Sequence, residues 1–214
     1  MSLVHTIKSF VRREARLTAS QMQAIEELWP RYGFTGGMNA APTIIEIGFG
    51  NGESLLNQAQ LQPQYNFLGI EVHRPGVGTF LRALSKTTLT NVRVSKDDAI
   101  DVLSKLPDAS VHGVQIFFPD PWPKKRHQKR RLIQASFLDL IIPKLAPGGF
   151  IHCATDWEDY ANQMLEVLSA DPRLQNTSPT GTTIERPAHR ILSKFERRGI
   201  ALGHGVWDFL FKVC

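Results

Sequence analysis

The sequence predicts an α/β domain, a mostly parallel sheet with helices on both faces. Two observations lead there. From about residue 43 onward, short apolar runs that read as strands alternate with amphipathic segments that read as helices, and the connections between them are short. The 214 residues, 42% hydrophobic and 21% charged, suit a single globular domain with a short extension and argue against a disordered chain. No internal repeat or low-complexity tract interrupts the pattern.

Residues 1–38 read as an N-terminal arm and 39–214 as the domain proper. TIIEIG (43–48) is a buried strand, followed by a glycine-rich turn and a helix through SLLNQAQL. NFLGIEV (66–72) is the second strand, with a helix near VGTFLRALSK, and NVRVS (91–95) the third, with a short helix at AIDVLSKL. HGVQIFF (112–118) is the fourth. After a basic loop, RLIQASFLDLIIPKL reads as one long amphipathic helix. A Pro147-Gly148-Gly149 turn leads to the fifth strand, FIHCAT (150–155), then a helix from about Glu158 to Leu168. VWDFLFKVC (206–214) is apolar enough for a further sheet strand.

Composition excludes several classes. No run of about 18 apolar residues could span a membrane, and MSLVHTIKSFVRREARL lacks the apolar centre of a signal peptide. Cys153 and Cys214 are too few for a disulfide framework or a four-cysteine zinc site, which points to a reducing, cytoplasmic setting. The seven histidines show no metal-binding spacing, so no metal is expected. Charge is the informative quantity. WPKKRHQKRR (122–131) holds Lys124, Lys125, Arg126, Lys129, Arg130 and Arg131 and no acid. The chain carries +5 at pH 7, so without these six it carries −1. Solvated helix faces usually mix signs, and a local single-sign patch points to an anionic partner.

Open parallel sheets bind ligands beyond the carboxyl ends of their strands. Those ends hold Glu46 with Gly48, Gly50 and Gly52, then Glu71, Asp98 and Asp120. The glycines allow a tight turn and a close approach of ligand to backbone. Glu71, 25 residues after Glu46, stands about where an acid accepts both hydroxyls of a ribose. One such acid is most simply a helix cap or a loop residue. Four on one rim raise one another's pKa and destabilise the fold unless something offsets them. A dinucleotide needs G-x-G-x-x-G to rest its pyrophosphate on a helix N-terminus; here the third glycine comes one position early and Glu53 follows it. S-adenosylmethionine has no phosphate and carries a sulfonium and an ammonium, so a ring of carboxylates suits it better.

The fourth strand runs into Phe117-Phe118-Pro119-Asp120-Pro121-Trp122-Pro123, whose prolines stiffen the loop and remove three backbone donors. Asp120 would be held facing the cofactor, Trp122 would offer a stacking face, and the Lys/Arg run would grip phosphates. The simpler reading is a rigid turn with a buried Trp. Cys153, inside an apolar strand, reads as core packing.

These segments resemble the bacterial-type tRNA (guanine-N7-)-methyltransferases. EIGFGNGESL (46–55), GIEVHRPGV (69–77), FFPDPWPKKRHQKRR (117–131), ATDWEDYANQM (154–164) and SKFERRG (193–199) carry the resemblance in family order, and VRREARLT (11–18) is similar to the family's N-terminal arm. Asn51 and Ser193 depart from the pattern, standing where methionine and threonine are common. The resemblance implies a Rossmann-like class I S-adenosylmethionine-dependent methyltransferase, α/β with a mostly parallel seven-stranded sheet, that methylates N7 of a guanine in the tRNA variable loop. By matching position it implies that Glu46, Glu71, Asp98 and Asp120 contact the cofactor, with Asp120 also the catalytic residue. Lys124, Asp156, Ser193, Lys194, Phe195 and Glu196 would contact the substrate. Arg126, His127, Gln128, Lys129, Arg130 and Arg131 would contact RNA. On residues alone Asp156 could equally cap a helix, and Pro187, His189 and Arg190 have no assigned role. The alternatives are an NAD-type enzyme on the same fold and a non-catalytic RNA-binding module.

Overall fold

The computed structural model describes residues 9–10, 16–192, 196–197, 203 and 205–214. In β1 (Thr43–Ile47), successive side chains point to opposite faces of the sheet and so divide the core in two. Ile44 packs with α1 (Ala19–Tyr32), α2 (Glu53–Leu61) and α3 (Arg74–Leu84). Ile45 and Ile47 pack on the other face with α4 (Ala99–Leu103), α5 (Ala135–Ile141) and α6 (Glu158–Ala170). β1 and β2 (Asn66–Ile70) are buried almost throughout, as strands covered on both faces must be.

With β3 (Val92–Ser95), β4 (Val111–Phe117), β5 (Leu145–Thr155), β6 (Leu174–Asn176) and β7 (Trp207–Val213), they form one sheet in the order β3-β2-β1-β4-β5-β7-β6. The first five strands pair in parallel, and β7 runs antiparallel to both β5 and β6. The sheet is therefore mixed, with a single strand reversed.

Three elements differ from the expectation. The basic segment coils into a 3-10 turn over Lys125–Arg130, and α5 begins only at Ala135. Residues 131–134 instead cross over α6: the Ile133 N–H donates to the Tyr160 hydroxyl at 3.1 Å, and Gln163 donates to the Ile133 carbonyl. Pro143, which has no N–H to give, closes the helix in a 3-10 turn over Ile142–Lys144. The Pro147-Gly148-Gly149 turn lies within β5, where the pairing with β4 shifts register between Val111 and Gly113.

α1 was not anticipated. Thr18 and Gln21 form a capping box at its start. Gln21 also reaches α3, donating to the Pro75 carbonyl at 3.2 Å and to Thr79 Oγ1 at 3.1 Å. A Cβ on Gly78 would lie 2.8 Å from Gln21 Cβ and 2.9 Å from its carbonyl oxygen, so the helices touch through a glycine. Gly78→Ala is thus expected to destabilise the protein by about 1–2 kcal/mol in urea melts, because overpacking outweighs helix propensity. A helix not docked there would gain up to about 1 kcal/mol from the same change, and a rise in stability would disprove the docking.

Candidate active site

The carboxyl ends of β1, β2 and β4, with the turn after β3, open into a cleft of about 400 Å³. Gly48, Glu71, Asp98, Phe118 and Asp120 line it together with Ser9 and Phe10 from the N-terminal segment, and among the described residues no lysine or arginine does. Glu71 is buried and fixed by two backbone donors: the N–H of Gly50 reaches Oε2 and that of His73 reaches Oε1, each at 2.8 Å. Gly48, at φ +78°, would place a Cβ within 4 Å of no described residue, so its backbone is open to a ligand on that side. Gly52, at φ +79°, would drive a Cβ to 2.1 Å from the Phe80 ring, so that position admits only glycine. Gly50 also has a positive φ, and Asn51 is an exposed turn residue.

Glu46 does not line the cleft. It lies on the face of β1 toward α2, 3% exposed, and its Oε2 has no hydrogen-bond partner among the described residues. Burial, and then the neighbouring Glu71, push its carboxyl from an ordinary value of 4.5 up to about 8. Asp98 lines the cleft and caps α4, accepting from the Ile100 N–H at 3.0 Å. Asp97 is exposed and outside the cleft wall.

Asp120 is exposed on a loop held by strain and anchors. Phe118 and Trp122, on either side of it, adopt φ +52° and +45°, a region costing about 1–3 kcal/mol for a residue with a side chain. The Phe118 N–H donates to the Ala154 carbonyl at 2.8 Å, Arg131 Nε to the Pro121 carbonyl at 2.9 Å, and Trp122 Nε1 to the Ser9 carbonyl at 3.0 Å. One face of Trp122 carries the Arg130 guanidinium at 4.2 Å, so it is not an open stacking surface.

The basic segment divides into outward and inward residues. Lys124, Lys125, Arg126 and Lys129 are exposed. Partial loss of solvent, and then Arg126, Lys124, Arg130 and Lys129, hold the His127 imidazole below its ordinary pKa. Gln128 donates to Asp159 at 2.9 Å, and Arg130 to the Phe10 carbonyl at 3.1 Å. Arg131, expected at an RNA surface, turns inward instead: it is 3% exposed, donates to Pro121, Gln163 and Asp159, and lies 4.8 Å from the Tyr160 ring.

Asp156 is exposed directly after β5, and α6 starts with Trp157 at its cap and no side-chain cap bond, so the capping role is not taken. Ser193, Lys194 and Phe195 lie outside the described residues. Glu196 is 4% exposed with both carboxylate oxygens on Arg190, at 2.7 and 2.8 Å. Sequence reasoning missed Ser9, Phe10 and this pairing; an i, i+6 spacing carries no periodic signal. Cys153 is fully buried, and burial pushes its thiol up, in keeping with core packing. Among the described residues there is no group of three His, Cys, Asp or Glu that could hold a metal ion, and no helix long and apolar enough to cross a membrane.

Because the folded state favours neutral Glu46, its contribution to stability is fully present below pH 4.5 and is lost as pH rises through about 8. Glu46→Gln removes that titration. Urea melts from pH 5 to 9 should show the variant gaining on the parent protein by up to about 1.4 kcal/mol per pH unit and levelling above pH 8. Parallel curves would contradict this account of Glu46.

With the geometry established, comparison with known proteins is informative. A family model described as "Putative methyltransferase" matches residues 40–209. The tRNA (guanine-N(7)-)-methyltransferase of Idiomarina loihiensis is 52% identical, aligned over 98% of this chain and 90% of its own. That of Nitrosococcus oceani is 54% identical over 96% and 90%. Among solved structures, the 16S rRNA methyltransferase KamB aligns with a TM-score of 0.59 at 13% identity, covering 94% of this chain and 96% of its own. TrmN from Thermus thermophilus aligns with 0.55 at 15% identity, covering 91% and 49%. Such distant likenesses show the fold, that of class I S-adenosylmethionine-dependent methyltransferases. Identity above one half across nearly the full length shows more: the chain belongs to the tRNA (guanine-N(7)-)-methyltransferase family.

Proposed function

We propose that this protein methylates N7 of a guanine in the variable loop of tRNA, with S-adenosylmethionine as the methyl donor. The observation that carries the reading is a cleft whose charged wall residues are acids, set beside an exposed basic turn. The buried Glu46 carboxyl, whose Oε2 has no partner among the described residues, and the backbone at Gly48, which no described residue covers, fit a cationic nucleoside and not a diphosphate. Glu71 would take the ribose hydroxyls, Asp98 and Asp120 complete the rim, and Glu46 would offset positive charge once its raised carboxyl loses its proton. When bound, S-adenosylmethionine supplies an electrophilic methyl group on a sulfonium.

The protein's residues then have three tasks. N7 of guanine keeps a free lone pair at neutral pH, so no side chain has to remove a proton from it. Asp120 orients the guanine and stabilises the positive charge arriving on its ring, and the strained proline loop fixes that carboxylate before the substrate enters. Lys124 and Asp156 stand exposed at the same edge of the sheet, where they would meet the substrate. N7 faces the deep major groove of A-form RNA, so the guanine has to be displaced or unpaired, and Lys125, Arg126 and Lys129 would hold phosphates without reading sequence. Residues 1–38 are an extension of the methyltransferase domain, 39–214, with α1 as its docked part. A cytoplasmic location follows from the substrate and the two free cysteines.

Mass-spectrometric nucleoside mapping after incubation with unmodified bulk tRNA should reveal 7-methylguanosine; methyl at another atom, or none, overturns the reading. Asp120→Ala should lower kcat by on the order of 10²–10³-fold, and an unchanged kcat removes Asp120 from the chemistry. Changing Lys125, Arg126 and Lys129 together to Ala should flatten the slope of log tRNA affinity against log salt by about two to three. Arg131→Ala should leave that slope alone and instead cost on the order of 3 kcal/mol of stability in thermal melts.

A further inference from the structure

Four buried polar side chains outside the cleft form one connected unit. Arg190, Glu196, Asp208 and His152 are each at most 4% exposed. Arg190 donates from Nη1 and Nη2 to the two oxygens of Glu196, at 2.8 and 2.7 Å. It also donates from Nε and Nη2 to the two oxygens of Asp208 on β7, at 2.7 and 2.6 Å. His152, on β5, meets Asp208 Oδ1 through Nε2 at 2.9 Å; an ionised carboxylate only accepts, so Nε2 carries the hydrogen. Burying a guanidinium is costly, and this one is matched by two bidentate carboxylates.

The unit abuts the back of the cleft. The Arg190 guanidinium lies 5.8 Å from the ring centre of Phe117 and 5.4 Å from that of Phe118, and the His152 ring meets Phe117 edge-on at 4.9 Å. Phe117 and Phe118 line the cleft, and Asp120 follows Phe118 by two residues. Arg190 thus connects Glu196 to the strand end that leads to Asp120.

We propose that Arg190 is a positioning residue for methyl transfer, fixing Glu196 and the Phe118–Asp120 loop relative to each other through its pairings with Glu196 and Asp208 and its contacts with the Phe117 and Phe118 rings. Glu196 then acts through Arg190 and does not touch the guanine. This inference rests on the proposed methyltransferase reading and revises the role that resemblance gave to Glu196.

The test uses Arg190→Lys, Glu196→Gln and the double variant, assayed with tRNA at 15 °C after circular dichroism establishes that each is folded. Each single variant should lose at least tenfold in kcat while its S-adenosylmethionine affinity, by titration, stays within twofold. The double variant should fall no more than about threefold below the worse single, because the pair works as one unit. If Arg190→Lys keeps kcat within twofold while Glu196→Gln is impaired, Glu196 contacts substrate directly and the proposal fails. Additive losses, or full kcat in both singles, also overturn it. Asp208→Asn, which keeps the shape of the site, gives a further reading with the same expected split. Failure of all three single variants to fold at 15 °C would make the unit a stability element alone and equally end the proposal. Absence of 7-methylguanosine with the unmutated protein is a separate result, which strikes the parent reading and is read first.

Discussion

Parallel strands end together, and here they end in acids. Glu46 lies on β1 and Glu71 directly follows the neighbouring strand β2; both are buried, and Glu71 is near enough to push the Glu46 carboxyl further up. The protein accommodates the pair unequally. Glu71 receives two backbone N–H donors, whereas Glu46 receives nothing at Oε2 from the described residues and is held neutral to well above ordinary carboxyl pH. A neutral acid inside a wall of acids costs little while it keeps its proton, and it becomes an attractive neighbour for a cation once that proton leaves. The glycine turn, the empty space over Gly48 and the acids along the rim make physical sense around that arrangement.

The loop bearing Asp120 shows a second constraint, pre-organisation held by distributed anchors. Two residues with side chains sit in left-handed backbone, and the chain holds them there from several directions: a β5 carbonyl, the buried Arg131, and the Ser9 carbonyl. The basic segment is therefore both frame and surface. Arg130 and Arg131 turn inward to hold the loop, and the lysines with Arg126 remain free to face solvent.

The sheet was legible because its strands are long apolar runs between clear turn signals, and the site's acids because sheet topology brings strand ends to one edge whatever the side chains do. Other features were not legible, for physical reasons. α1 carries a proline, Pro30, within it, and its docking depends on a glycine in α3 that looks unremarkable in the sequence. A run of six basic residues reveals its charge but not which members are buried, so Arg131 looked like its neighbours. The long helix expected from Arg131 onward starts late because Ile133 is committed to α6, a tertiary contact that local periodicity does not encode. Glu196 matched a family motif, but its partner Arg190 became meaningful only once Asp208 and His152 were seen around it.

The placement of β7 has a consequence for how the molecule is assembled. β6 comes earlier in the chain but pairs, among the described residues, only with β7, which inserts between it and β5. Until Trp207–Val213 arrives, β5 presents a bare hydrogen-bonding edge and β6 has no place in the sheet, a state that invites pairing with other chains. The inserted strand also brings Asp208. Closure of the sheet and seating of the Arg190 guanidinium are thereby the same event, so a molecule caught before that step would have its acidic cleft roughed out but not yet the Arg190 guanidinium seated behind the Asp120 loop.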